Sequence, residues 1–368
     1  MASVAETAAM RRAIELASTP GGAPADPNPR VGAVLLTPHG EAIAEGRHRG
    51  AGTPHAEVDA LAQAGDRARG GTVVVTLEPC GHRGRTGPCA QALIEAGIAR
   101  VVFAQTDPNP VATGGADALR AAGIEVEAGV LAAAAAELNV VWSFAMKQRR
   151  PFVTWKFAGT LDGRSAASDG TSKWITGAAA RADVQVQRAR CDTVLIGTGT
   201  VAADNPRLTA RDCADQPLPR NRQPLRAVMG RRELASSAHV FDDDASTVVL
   251  PTRDPTAALN QLFGLDRRHV WLEGGPTLAA AFVTAGLVDQ IVAYVAPALL
   301  GGGKNAVADL GIRTIRDVRR LQLADVTRVG DDVRLTMYDS ERRPASPAVV
   351  TSGIGGESDV PSEQEVDR

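Results

Sequence analysis

His55 and Glu57 stand two residues apart in "HAEVDALAQAG" (residues 55–65), and Cys80 and Cys89 follow in "LEPCGHRGRTGPC" (residues 77–89). A catalytic zinc ion takes three protein ligands from imidazole, thiolate or carboxylate and keeps its fourth position for water. His55, Cys80 and Cys89 supply such a set, one zinc to the chain. His55 follows Pro54 and Cys89 follows Pro88, each opening a helical, Ala-containing run. The partial positive charge of a helix N-terminus lowers a thiol's pKa and favours the thiolate that binds metal. Glu57, on the same first turn as His55, can approach the metal's water without ligating the ion.

An H-x-E followed by P-C-x-x-C is the pattern of zinc nucleobase deaminases, with the Glu moving the proton. Here "HAE" fits, whereas "PCGHRGRTGPC" places eight residues between the cysteines instead of two. A closed structural site is the alternative, with His82 between the cysteines as fourth ligand. That alternative leaves Glu57 without a task. The metalloprotease pattern H-E-x-x-H is absent.

These residues need a scaffold. From Val31 to Val130, apolar runs ("VGAVLL", "GTVVVTLEPC", "ARVVFAQ", "IEVEAG") alternate with helical ones ("HAEVDALAQAG", "CAQALIEAG", "GADALRAAG"). The alternation predicts an α/β layer structure with a largely parallel sheet. "LAAAAAELNVVWSFAMKQRRPF" reads as a helical pattern stopping at Pro151, which sets a domain boundary near residue 150. A second α/β set has strand candidates "FVTWKFA", "TVLIG", "LRAVM", "TVVLP", "HVWLEGG" and "QIVAYVAP". "LQLADVTRV" and "DVRLTMY" predict a final hairpin turning at "GD". Residues 341–368, rich in Ser, Pro, Gly and acid, cannot bury enough apolar surface to offset their ordering entropy and read as disordered.

In the second half, "EGGPTLAAAF" has a mechanism of its own. Gly274 and Gly275 let backbone N–H groups approach an anion, and a helix starting near Pro276 aims its positive end there. A Gly pair before a helix is also an ordinary turn. No G-x-G-x-x-G follows a strand, so a Rossmann domain is not indicated.

"NPRVGAV", "HAEVDAL", "TLEPCGHRGRTGPC" and "DPNP" together resemble the deaminase domain of the bifunctional riboflavin-biosynthesis enzymes, diaminohydroxyphosphoribosylaminopyrimidine deaminase and aminouracil reductase. The long spacing between the cysteines distinguishes that family from tRNA adenosine and cytidine deaminases. The resemblance implies a cytidine-deaminase-like α/β/α domain over residues 1–150, zinc on His55, Cys80 and Cys89, and Glu57 as catalytic proton shuttle. It implies that Asn28, His48, His82, Arg85, Asp107 and Asn109 bind the pyrimidine and its ribosyl phosphate. An Asn and an Asp suit the amide and amino edge of a pyrimidinone, and Arg85 suits phosphate. Singly, "NPR" and "DPNP" are plain turns.

"KFAGTLDGRSA", "SKWITG", "RADVQVQRARCDTVLIGTGTVAADNPRLTAR" and "WLEGGPTLAAAF" resemble the same family's reductase domain, of dihydrofolate-reductase-like α/β fold, over residues 151–340. By that resemblance Ala158, Trp174, Thr200, Asp204, Gly275, Pro276 and Thr277 bind NADPH. Lys156, Ser172, Arg188, Leu208, Arg211 and Glu273 face the substrate, with Arg188 and Arg211 as phosphate clamps and Lys156 or Asp204 as general acid. Trp174 and Leu208 also fit ordinary core positions. Gly230 stands where the family often carries an acidic residue; the Arg231 and Arg232 that follow suit a 2′-phosphate or a solvated loop.

Bulk properties narrow the rest. At 368 residues the chain is long for one core. A net charge of −2 and 4% aromatic residues argue against a nucleic-acid or anionic-membrane surface, and so against a nucleic-acid deaminase. A zinc-stabilised, non-enzymatic module is the other rival. The first eighteen residues read as an amphipathic helix, not a signal peptide, and no apolar run reaches membrane-spanning length. Four cysteines without an export signal fit a reduced, cytoplasmic protein. The expected partner is a small pyrimidine ribosyl phosphate, and family membership implies a homo-oligomer.

Overall fold

Val73, Val74 and Val75 are each fully buried, so the strand carrying them must be covered on both faces. The computed structural model, which describes residues 1–19, 27–81 and 87–339, shows how. The first half runs α1 (Val4–Ser18), β1 (Gly32–Leu36), β2 (Ala42–Arg47), α2 (Ala56–Ala64), β3 (Thr72–Leu77), α3 (Cys89–Glu95), β4 (Arg100–Gln105), α4 (Gly115–Ala121), β5 (Glu125–Ala128), α5 (Ala132–Leu138) and α6 (Val140–Gln148). Its sheet has the order β2-β1-β3-β4-β5. Alternate residues of the strands face opposite ways. Ala33, Leu35, Val73, Val75, Val101 and Phe103 pack against α2, α3 and α4. Val34, Val74 and Val102 pack against α1 and α5. The three layers follow from that alternation.

The sheet is less parallel than its sequence suggests. β1 pairs antiparallel with both β2 and β3, and only β3–β4 and β4–β5 are parallel. The unexpected strand is β2, "AIAEGR", whose mixture of exposed and buried positions gives it no continuous apolar run. The expected single helix before Pro151 is two, α5 and α6. Asn139 breaks it: its Oδ1 accepts from the Arg30 amide (2.8 Å) and its Nδ2 donates to the Arg30 carbonyl (2.9 Å). A buried amide that satisfies another segment's backbone outweighs helix propensity.

The second half runs β6 (Phe152–Thr160), β7 (Arg164–Ala166), α7 (Ala178–Arg188), β8 (Thr193–Gly197), α8 (Thr198–Asp204), β9 (Leu225–Met229), β10 (Thr247–Leu250), α9 (Pro255–Gly264), β11 (His269–Leu272), α10 (Pro276–Thr284), β12 (Gln290–Ala296), β13 (Lys304–Asn305), β14 (Leu321–Val329) and β15 (Asp332–Asp339). Its large sheet has the order β10-β9-β8-β11-β6-β12-β15-β14. The first six strands are mutually parallel, and the β14–β15 hairpin, turning at Gly330 and Asp331, closes one edge antiparallel. Helices α9 and α10 cover one face, α7 and α8 the other. Small β7 and β13 pair apart from this sheet.

The expected disordered tail at 341–368 lies outside the described residues. Among the described residues, no helix is long and apolar enough to cross a membrane.

Gly230, just after β9, has φ +141°, and a Cβ built there would lie 2.5 Å from Thr198 Oγ1. That contact and the positive φ leave no room for a side chain at this position. Gly230→Asp is therefore expected to lower stability by about 3 kcal/mol through backbone strain and overpacking. A thermal melt of the variant against the parent checks it.

Candidate active sites

The first site is assembled where three element ends meet. Helix α2 lays Ala56, Ala60 and Ala64 on the sheet, which brings its N-cap, His55, and its first-turn Glu57 to the end of β3. The segment after β3 carries Cys80. Gly115 fixes this segment, since a Cβ there would sit 1.7 Å from the Pro79 carbonyl oxygen. Cys89 is the first residue of α3, and its amide donates to Cys80 Sγ (3.3 Å).

His55 Nδ1 lies 3.1 Å from Cys89 Sγ and 3.7 Å from Cys80 Sγ, and the three donor atoms fall within 4.8 Å of one another. Tetrahedral zinc with ordinary Zn–S and Zn–N lengths sets its donors roughly 3.5–3.8 Å apart. The electrostatics agree. Hydrogen bonds from the Cys89 thiol and from His55 hold Cys80 down to about 4, against its burial. The proton shared with Cys80, together with burial, pushes Cys89 up. Two sulfurs contending for one proton are the donor set that a divalent cation relieves by taking both as thiolates. Hydrogen bonding to Cys80 also raises His55, against burial.

Glu57 is 4% exposed, and burial pushes its carboxyl up to about 7. It lines a cavity of about 290 Å³ with His55, Cys80, Asn28, His48, Asp107 and Asn109. Asn28 Nδ2 donates to His48 Nε2 (3.1 Å), whose Nδ1 reaches the Pro54 carbonyl (3.1 Å). Asp107 Oδ1 accepts from the Asn109 amide (2.8 Å). The expected contributions of His82 and Arg85 lie outside the described residues.

Several lining residues escaped the sequence reading. Buried Glu78 accepts from the amides of Asp107 (3.3 Å) and Ala116 (3.2 Å), so it holds the "DPNP" loop to the cavity. Its place directly before Pro79 and Cys80 was the available signal. Trp142 and Met146 of α6, and Asp266 and Arg268 from the second half, also line the cavity. Nothing local in the sequence marks these four.

The second site lies at the C-terminal ends of the parallel strands, where open α/β sheets bind ligands. Thr200 and Asp204 sit on α8 directly after β8, and Gly230 follows β9. Glu273 follows β11, and Gly275 is the N-cap of α10. No side chain caps α10, and a Cβ on Gly275 would meet nothing within 4 Å, so open space faces its first amides. That arrangement suits a phosphate of a dinucleotide. Pro276 and Thr277 open the helix, and Ala158 lies on β6 opposite Tyr294.

One expectation changes here, and one alternative falls away. Arg188 is not a free clamp: its guanidinium grips Glu273 through Nε (2.9 Å) and Nη2 (2.7 Å) and donates to the Thr209 carbonyl (2.9 Å). Arg211 is likewise paired, with Asp215 at 3.3 Å. Burial pulls the Glu273 carboxyl up, but Arg188 and Lys156 more than offset this and hold it below its ordinary range. Enclosure in turn depresses the Lys156 ammonium. Trp174 is no core residue. It is 68% exposed, with the Arg181 guanidinium 4.6 Å from its ring centroid. Leu208 does pack in the core, and Ser172 is exposed.

Comparison with known proteins places both halves. Residues 4–105 match the cytidine and deoxycytidylate deaminase zinc-binding region, and residues 151–335 match the RibD C-terminal domain. Fold and site thus define a zinc-binding deaminase joined to a reductase that uses NADPH. The chain is 49% identical over 313 residues to the riboflavin biosynthesis protein RibD of Mycobacterium tuberculosis H37Rv, covering 84% of this chain and 91% of the relative. The solved structure of Acinetobacter baumannii RibD superposes with a TM-score of 0.83 at 39% identity, covering 91% of this chain and 98% of that one. A Thermotoga maritima structure described as a diaminohydroxyphosphoribosylaminopyrimidine deaminase/5-amino-6-(5-phosphoribosylamino)uracil reductase gives 0.79 at 33% identity, covering 91% and 99%. The chain belongs to the RibD family of bifunctional deaminase–reductases of riboflavin biosynthesis.

Proposed function

We propose that residues 1–150 deaminate 2,5-diamino-6-ribosylamino-4(3H)-pyrimidinone 5′-phosphate and that residues 151–340 then reduce its ribosyl group to ribityl, giving 5-amino-6-ribitylamino-uracil 5′-phosphate. The observation that carries the reading is the buried His55–Cys80–Cys89 donor set beside a buried Glu57 in one cavity. His55, Cys80 and Cys89 hold one zinc per chain, which supplies a water activated near neutral pH. Glu57, buried beside this donor set, takes up a proton from that water and delivers it to the exocyclic amine that leaves as ammonia. Asn28, Asp107 and Asn109 orient the pyrimidinone through its amide and amino groups.

In the second half, NADPH supplies the hydride for ribosyl C1′. The first amides of α10 and the residues Ala158, Trp174, Thr200 and Asp204 hold the cofactor. Lys156, Ser172, Leu208, Arg211 and the Arg188–Glu273 pair form the substrate side. Lys156, depressed by enclosure, is the nearest of these to a proton donor of ordinary reactivity. The reading includes a cytoplasmic homo-oligomer that binds neither nucleic acid nor membrane. In its support, edge strand β14 exposes Leu321, Leu323 and Val326, an apolar surface that a second copy would cover.

Metal analysis and a two-substrate assay test the proposal. Zinc is expected near one per chain, with ammonia released without NADPH and the ribityl product formed only with it. Stripping the metal is expected to abolish deamination while reduction of pre-deaminated substrate persists. Loss of both steps together, or of neither, rules out the assignment of zinc to the first reaction.

A further inference from the structure

After Asp204 ends α8, the chain crosses residues 205–210 in neither helix nor strand before reaching Arg211. Asn205 leaves the helix with φ +40°, and Leu208 follows with φ +56°. Asparagine is ordinary in that conformation at a helix end. A bulky leucine, here buried, is not. Such backbone persists only where its surroundings over-determine it, and it concentrates in segments that hold ligands.

Three residues without a role in the function proposed above hold this segment. At the Asp204 end, the exposed His239 donates from Nδ1–H to the Asn205 carbonyl (2.9 Å), and its amide donates to Asn205 Oδ1 (2.8 Å). At the Arg211 end, buried Gln223 accepts from the Ala210 amide (2.8 Å) and donates to the carbonyls of Ala210 (3.0 Å) and Leu218 (2.7 Å). Fully buried Arg226 grips the middle by donating to the Arg207 carbonyl (3.2 Å), and it also donates to that of His239 (3.3 Å). The Thr209 carbonyl accepts from Arg188, the partner of Glu273, so the segment adjoins the charged cluster of the second site.

We propose that His239 and Gln223 are positioning residues of the reductase, the first setting Asp204 against the cofactor and the second setting Leu208 and Arg211 against the substrate. This rests on the reductase reading above and divides its two ligands between the ends of one strained segment. The hold of Arg226 on Arg207 separates those ends, so loosening one leaves the other in place.

The test reads two constants on the full chain: Kd for NADPH by fluorescence titration, and KM for pre-deaminated substrate at saturating NADPH. His239→Ala, a change at an exposed side chain, is expected to raise Kd for NADPH about tenfold and to leave the substrate KM within about twofold, the scale of one lost hydrogen bond. His239→Asn, which carries an N–H near the place of Nδ1, restores most of that loss. Gln223→Met removes the buried bonds to Ala210 and Leu218 at similar volume. It is expected to raise the substrate KM about 30-fold and Kd for NADPH by no more than about threefold. Deamination without NADPH stays at the parental level in all three. An equal shift of both constants in either His239→Ala or Gln223→Met, or no shift, overturns the inference. So does loss of NADPH binding in Gln223→Met, which would make Gln223 a brace for the whole half. A parent enzyme that does not reduce pre-deaminated substrate overturns instead the reductase function proposed above.

Discussion

Glu57→Gln is expected to lower deamination about a thousandfold, the scale of removing a positioned proton carrier, while zinc stays bound and reduction proceeds. Glu57 is buried at the start of α2, beside the donor atoms but not among them. Glutamine keeps the shape and loses the titratable carboxyl that takes up and releases a proton. Three measurements on one preparation decide the matter: zinc per chain, ammonia release, and NADPH oxidation with pre-deaminated substrate. Retained zinc with lost ammonia release assigns the proton transfer to Glu57. Retained ammonia release would instead remove Glu57 from the proton transfer.

Glu273→Gln is expected to damage the second half as deeply. Glu273 receives two donors from Arg188 and the Trp271 indole N–H (2.7 Å), and both members of the ion pair are nearly buried. Removing one partner leaves Arg188 and Lys156 as enclosed like charges, at a cost of about 3–5 kcal/mol. The reductase rate is expected to fall at least about a hundredfold as the substrate groups lose their alignment. The loss has a pH signature. Lys156 already lies below its ordinary range, and without the Glu273 charge it falls further. A base whose folded pKa is depressed costs stability while the pH is below that pKa. The cost disappears as pH rises from the folded value toward the unfolded one near 10.4. The stability deficit of Glu273→Gln should therefore shrink between neutral and alkaline pH. Melts of variant and parent across that range read it directly, and a deficit that is constant with pH removes Lys156 from the account.

The clustering of His55, Cys80 and Cys89 was legible because these residues lie at the ends of elements that the sequence marks clearly: Pro54 before α2, Pro88 before α3, and an apolar run for β3. Both three-layer halves were legible for the same reason, since buried parallel strands are written as unbroken apolar runs. β2 was not, because an edge strand with polar positions has no such run. The break at Asn139 was hidden because its partner, Arg30, is 109 residues away. Arg188 read as a phosphate clamp by resemblance and residue type, and only the fold reveals Glu273 already in its grip. Trp174 fitted a cofactor contact or a core position equally by residue type, and the fold removes the second by holding it at the surface beside Arg181.

Helix α6 has a bearing on how this enzyme can be taken apart. Its Trp142 and Met146 pack into the first half and wall the zinc-site cavity, and Ser143 accepts from Gln105 (2.9 Å). On another side its Phe144 meets Phe152 of β6, ring centroids 5.2 Å apart, with Arg150 stacked over it. A gene cut at the α5–α6 break would take a wall from the zinc-site cavity, and one cut after α6 would bare Phe144 to water. Half-length versions made for industrial flavin production or for screening inhibitors would each inherit a scar at this helix, whichever side of it the cut falls.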